Sequence, residues 1–150
     1  MKSKILLVIG IIICQSMAVF SQPYRSALGA ASEFTLKDYY ATGASFRFFM
    51  GKHSAGEITA LTGNGGYYIS LLYQYGFPLD NAKRLYGYVG AGVFNIIYPR
   101  GTVGLEYRLP DLPLSLAADW RPFYEWKVDD DITNSGLKHF GISLRYTLKN

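Results

Sequence analysis

HFGISLRYTL, residues 139–148, alternates without a break. Phe140, Ile142, Leu144, Tyr146 and Leu148 fall on one face of an extended chain, and His139, Gly141, Ser143, Arg145 and Thr147 on the other. Chain ends fray unless they are tied down. A strand this regular beside the last residues, Lys149 and Asn150, is therefore expected to be paired along its length and covered on one side.

The same period recurs upstream. No stretch beyond residue 21 sustains a helical repeat, and Gly, Pro, Asn and Asp interrupt the chain at short intervals. Eight strands are predicted, over 25–32, 42–51, 54–62, 66–77, 84–94, 100–109, 113–121 and 137–148. Their connections alternate in kind. GKHS (51–54), PLDNAK (78–83) and PDLP (110–113) are short turns, whereas 33–41, 63–65, 95–99 and the long polar 122–136 serve the opposite rim. Short turns at one end and longer loops at the other suit an up-and-down transmembrane barrel.

Which face is wet decides between a soluble and a membrane barrel. In 113–121 Leu114, Leu116, Ala118 and Trp120 alternate with Ser115, Ala117, Asp119 and Arg121, and in 100–109 Val103, Leu105, Tyr107 and Leu109 alternate with Thr102, Gly104, Glu106 and Arg108. A solvated sheet face carries many Lys and Glu. Here the polar face is made of small residues and a few mixed charges in which Arg far outnumbers Lys, the choice suited to partly buried, bidentate ion pairs. Arg47, Glu57, Glu106, Arg108, Asp119, Arg121 and Arg145 are accordingly placed inside a narrow barrel as a paired network, with the apolar stripe outside in lipid. Two aromatic girdles are expected, from Tyr39, Tyr40, Tyr67, Trp120 and Tyr124 at the loop end and from Tyr73, Tyr75, Phe77, Tyr107 and Tyr146 at the turn end. The competing arrangement is a secreted lipocalin-like barrel whose apolar face lines a ligand cavity; it requires a charged exterior.

Composition agrees with the membrane arrangement. Of 150 residues, 49% are hydrophobic, 16% aromatic and only 17% charged, below the ~25% usual for soluble proteins. Lys2 and Lys4 followed by the apolar run 5–14 form an export signal, with cleavage expected near Ser21, so that 1–21 is a signal peptide and 22–150 one barrel domain. Removing Lys2 and Lys4 lowers the formal charge from +4 to +2, which gives no ground for nucleic-acid binding. Cys14, the single cysteine, lies within that signal, so the mature domain is expected to hold no disulfide and no thiolate metal site.

The stretches ASFRFFM (44–50), GYVGAGVF (87–94), GLEYRLPDLPLSLAADWRPFYE (104–125) and GISLRYTL (141–148) resemble the small eight-stranded outer-membrane barrels of the OmpA/OmpX type, in the form common among Bacteroidetes. The resemblance covers the whole of 22–150. It implies an all-β antiparallel barrel in a bacterial outer membrane, monomeric, embedded in outer-membrane lipid and inserted by the outer-membrane assembly machinery. His139, Gly141, Leu144 and Tyr146 occupy the places of the signal which that machinery reads on a last strand, although the chain continues past Tyr146 without a terminal aromatic. It also implies structural or surface-recognition roles through the loops, for which Phe123, Tyr124, Trp126, Asp129, Asp130 and Asp131 are the candidates toward an unidentified extracellular partner.

Catalysis is not expected. His139 and Ser143 share a face but lie ~13 Å apart along a strand, too far to hydrogen-bond, and His53 sits in a tight turn. That weighs against a lipid-modifying enzyme. The run 129–131 lacks the spaced pattern of a calcium loop, so neither a metal nor a cofactor is expected.

Overall fold

The computed structural model describes residues 25–36, 39–64, 66–124 and 136–148. The predicted signal peptide, Trp126 and Asp129 to Asp131 lie outside them. Eight strands follow one another in the chain: β1 (Ser26–Thr35), β2 (Tyr40–Phe49), β3 (Ser54–Gly63), β4 (Gly66–Pro78), β5 (Leu85–Phe94), β6 (Tyr98–Arg108), β7 (Leu114–Trp120) and β8 (His139–Leu148). A single 3-10 turn, Gly136–Lys138, leads into β8.

Every strand pairs antiparallel with its neighbour in sequence, and β1 pairs with β8 to close the barrel. The closing seam runs from Ser26 opposite Leu148 to Thr35 opposite His139. This is why the terminal strand is so regular: both its edges are hydrogen-bonded, and no edge strand remains.

Alternation sets the two faces. Outward, each strand contributes a large apolar residue to a continuous belt, among them Leu28, Phe46, Ile58, Leu71, Val89, Leu105, Leu116 and Leu144, all at least 38% exposed. Inward lie the small and charged residues. In β8, Gly141, Ser143, Arg145 and Thr147 are buried while Ile142, Leu144 and Tyr146 are exposed. The apolar face is thus the outer one, the reverse of what a lipocalin-like cavity requires.

Several boundaries differ from the sequence expectation. β1 continues to Thr35 rather than ending at residue 32, which draws Glu33 from a supposed loop into the wall. β2 begins at Tyr40, and β7 stops at Trp120, with Arg121 still tied to β8 by the hydrogen bond that its backbone N–H donates to the His139 carbonyl. The 95–99 loop contracts to three residues because Phe94 pairs with Tyr98.

That contraction has a local cost. Asn95 and Ile96 both take left-handed backbone, at φ 48° and 69°. Asn95 tolerates this, and its Oδ1 accepts the Ile69 amide at 3.1 Å; a β-branched residue does not. Ile96→Gly is therefore expected to stabilise the barrel by about 1 kcal/mol, read as a higher urea midpoint in detergent with an unchanged slope.

Candidate functional site

The inner faces bring together a chain of charges that runs along the barrel. At the loop end, β1 carries Glu33 and β6 carries Arg100, which meet in a bidentate pair with Nη1–Oε1 at 2.9 Å and Nη2–Oε2 at 2.6 Å. Such fork-to-fork geometry is the strongest form of the interaction. Arg121 reaches back to the same carboxylate, Nη1 to Glu33 Oε1, at 3.3 Å.

Arg121 then joins this layer to the centre. Its Nε donates to Asp119 Oδ1 at 2.5 Å and its Nη2 to Glu57 Oε1 at 2.8 Å. Glu57, fully buried on β3, also accepts from Arg145 Nη2 on β8 at 2.8 Å, Gln74 Nε2 at 3.2 Å and Thr59 Oγ1 at 3.1 Å. Tyr88 donates its hydroxyl to Asp119 Oδ2 at 2.5 Å, and Arg145 Nε donates to Ser45 Oγ at 3.0 Å. Two glycines make room for this packing. A methyl group on Gly141 would strike the Asp119 carboxylate and the Arg121 guanidinium, and one on Gly104 would strike Asp119 and the Tyr88 ring.

Toward the turn end, Glu106 on β6 pairs with Arg47 of β2 and with Arg108 Nε at 3.0 Å. Aromatic faces shield these cations. Arg47 lies 4.8 Å over the Tyr88 ring and Arg108 3.7 Å over that of Tyr86.

All seven sequence-selected charges therefore point inward and sit in ion pairs with one another or with Glu33. Sequence reasoning missed Glu33 and Arg100. Both carry the inward parity of their strands, Glu33 with Ala27 and Ala31, Arg100 with Thr102 and Glu106. That parity was the available signal.

Two aromatic assignments change. Tyr39, expected in the outer girdle, turns inward, its ring 5.4 Å from Tyr68 and 4.9 Å from His139. Burial, and then the nearby Glu33 carboxylate, push its hydroxyl above the ordinary tyrosine range. Phe123, expected beside Tyr124 as a candidate for recognition in the loop, packs 4.7 Å from both Phe94 and His139, while its backbone bridges to Arg100. Tyr39, Tyr68, Phe94, Phe123 and His139 together close the loop end of the interior. Tyr124 stays exposed, as do the girdle residues Tyr40, Tyr67, Trp120, Tyr73, Tyr75, Phe77, Tyr107 and Tyr146.

In the assembly-signal positions, His139 and Gly141 face in, whereas Leu144 and Tyr146 face out. His53 is held in its turn, with Nδ1 2.9 Å from the Gly76 carbonyl oxygen and its ring stacked on Tyr75.

Against solved structures, the chain is similar to one described as "De novo design of transmembrane beta-barrels", with a TM-score of 0.66 and 16% identity, covering 87% of this chain and 100% of that one. What the two share is a fold. No family model and no curated protein matches. The neighbour's sequence is too distant to carry residue roles across, so the charged interior is interpreted from its own geometry.

The network makes a direct prediction. Glu57→Leu leaves Arg145 without its carboxylate and takes one of three from Arg121, and Arg145→Leu leaves Glu57 one cation short; each is expected to cost roughly 3–5 kcal/mol. Urea unfolding of the refolded barrel measures this. Unchanged midpoints in both variants would mean that the charges are not held inside.

Proposed function

We propose that the protein is an integral barrel of a bacterial outer membrane, monomeric and non-enzymatic, which serves the envelope structurally or through recognition at its loop end. The observation that carries this is the pairing of an apolar belt around the entire outside with a charged interior. Water cannot cover so large an apolar surface, since exposed patches on soluble proteins seldom exceed a few hundred Å². Lipid can, and a closed ring of strands satisfies every wall amide in hydrocarbon. Six of the eight strands are 10 or 11 residues long, close to the ~9–11 that a tilted strand needs to span the bilayer. The similar structure is described as a designed transmembrane barrel, which supports the same reading.

The interior leaves recognition to the ends. An eight-stranded barrel is just filled by its side chains, and here ion pairs occupy the middle and aromatic rings the loop end. His139 is enclosed by rings, and His53 is engaged with backbone in its turn. That setting favours a scaffold over an enzyme. The proposed recognition surface is the β7–β8 connection, in which Tyr124 is exposed.

Electrophoresis in dodecyl sulfate tests membrane-barrel character. An unheated sample is expected to migrate apart from a boiled one, because the closed hydrogen-bond ring resists the detergent. A chain that stays soluble without detergent would overturn the proposal. Deleting most of residues 125–135 is expected to preserve the heat-dependent shift while abolishing partner binding; loss of the shift would make the segment structural.

A further inference from the structure

The turn end differs in chemistry from the loop end. A hollow of about 480 Å³ lies between the β5-leading turn and the β6–β7 turn, lined by Lys83, Arg84, Arg108, Asp111, Leu112 and Leu114. Of its three cations Arg108 is already paired with Glu106, which leaves Lys83 and Arg84 beside the one lining carboxylate, Asp111. A second hollow, of about 100 Å³, shares Lys83 and Arg108 and adds Arg47, Lys52 and His53 around Glu106. The two adjoin at Lys83 and Arg108, and together they make the turn end a basic basin in composition.

Its geometry is built rather than incidental. Asp80 Oδ1 accepts the amides of Arg84 at 2.8 Å and Leu85 at 2.9 Å, and the Asp80 carbonyl accepts the Lys83 amide at 3.1 Å. Asp80 thereby directs its carboxylate at backbone and fixes Lys83, in left-handed backbone at φ 52°, next to Arg84. On the other side Leu112 is 53% exposed, and Leu114 pairs with Tyr146 of the outer belt. An anion held by the cations would therefore have an apolar wall beside it that continues into the lipid-facing surface.

We propose that this rim binds the headgroup of an anionic phospholipid, with the phosphate diester between Lys83 and Arg84 and an acyl chain along Leu112 and Leu114. This rests on the membrane-barrel reading above. The charge complementarity selects an anion, and the leucine wall selects a lipid over free phosphate.

Native mass spectrometry of the detergent-released barrel, offered phosphatidylglycerol and phosphatidylcholine of matched chains, tests it. Phosphatidylglycerol adducts are expected to dominate. The double variant Lys83→Gln/Arg84→Gln is expected to lose that preference by about fivefold for each cation removed, whereas Lys138→Gln at the other end leaves it unchanged. Equal retention of both lipids, or a preference that survives the double variant, would overturn the proposal. So would sodium phosphate that displaces the lipid and stabilises the lipid-free barrel to heat equally well, which would make this a free-phosphate site. Vesicle insertion separates the two readings. A protein that inserts into phosphatidylcholine but shows no headgroup preference defeats only this site, and one that enters no bilayer defeats the membrane reading with it.

Discussion

Glu57 stands between Arg121 and Arg145, and much of the barrel is arranged around that carboxylate. Burying an ion is expensive unless it is paired and hydrogen-bonded. The site meets the requirement from five strands or their immediate extensions: Glu57 and Thr59 on β3, Gln74 on β4, Arg121 after β7, Arg145 on β8 and Ser45 on β2 behind Arg145. Gly141 and Gly104 keep their space clear. The same contacts pin register. A slip of one residue in any of these strands would turn its charge out into the apolar belt and its apolar row in. An uncharged interior of equal volume would pack as well but would permit such slips more readily.

Much of this is legible in the sequence. Period-two alternation identifies strands, and parity within a strand states which residues share a face; that is enough to collect Arg47, Glu57, Glu106, Arg108, Asp119, Arg121 and Arg145. The partners were not visible. Glu57 and Arg121 are 64 residues apart, and how deep a side chain sits depends on the shear of the closed sheet rather than on spacing along the chain. Glu33 escaped because the outer row of β1 near it, Ala30 and Ser32, is too weakly apolar to mark a strand, so the stretch EFTL looks like loop. Tyr39 and Phe123 were misplaced for a related reason. Both lie just outside a strand, where alternation no longer states direction, and their inward turn is set by contacts with Tyr68, Phe94 and His139.

The two ends of the molecule are finished differently. Aromatic rings seal the loop end around His139, while the turn end opens onto the basic basin beside Glu106. In a bilayer these ends would meet different surroundings. On that reading the turn end would lie at a headgroup layer, where cations are favoured, and the loop end would present Tyr124 and the connection that follows it. Between them the ion pairs tie the strands of the wall together. Any selective behaviour would then belong to the ends, with the wall as support.

The central claim is that apolar residues face outward to lipid and charged residues face inward, where they pair. It is tested most directly by cysteine scanning along β8 in the refolded protein, using Ile142→Cys, Ser143→Cys, Leu144→Cys, Tyr146→Cys and Thr147→Cys, each labelled with a small fluorophore in bilayers that carry a chain-attached quencher. Quenching at 142, 144 and 146 and protection at 143 and 147 is the predicted result. Uniform quenching, or strong quenching at 143 and 147 only, would contradict it.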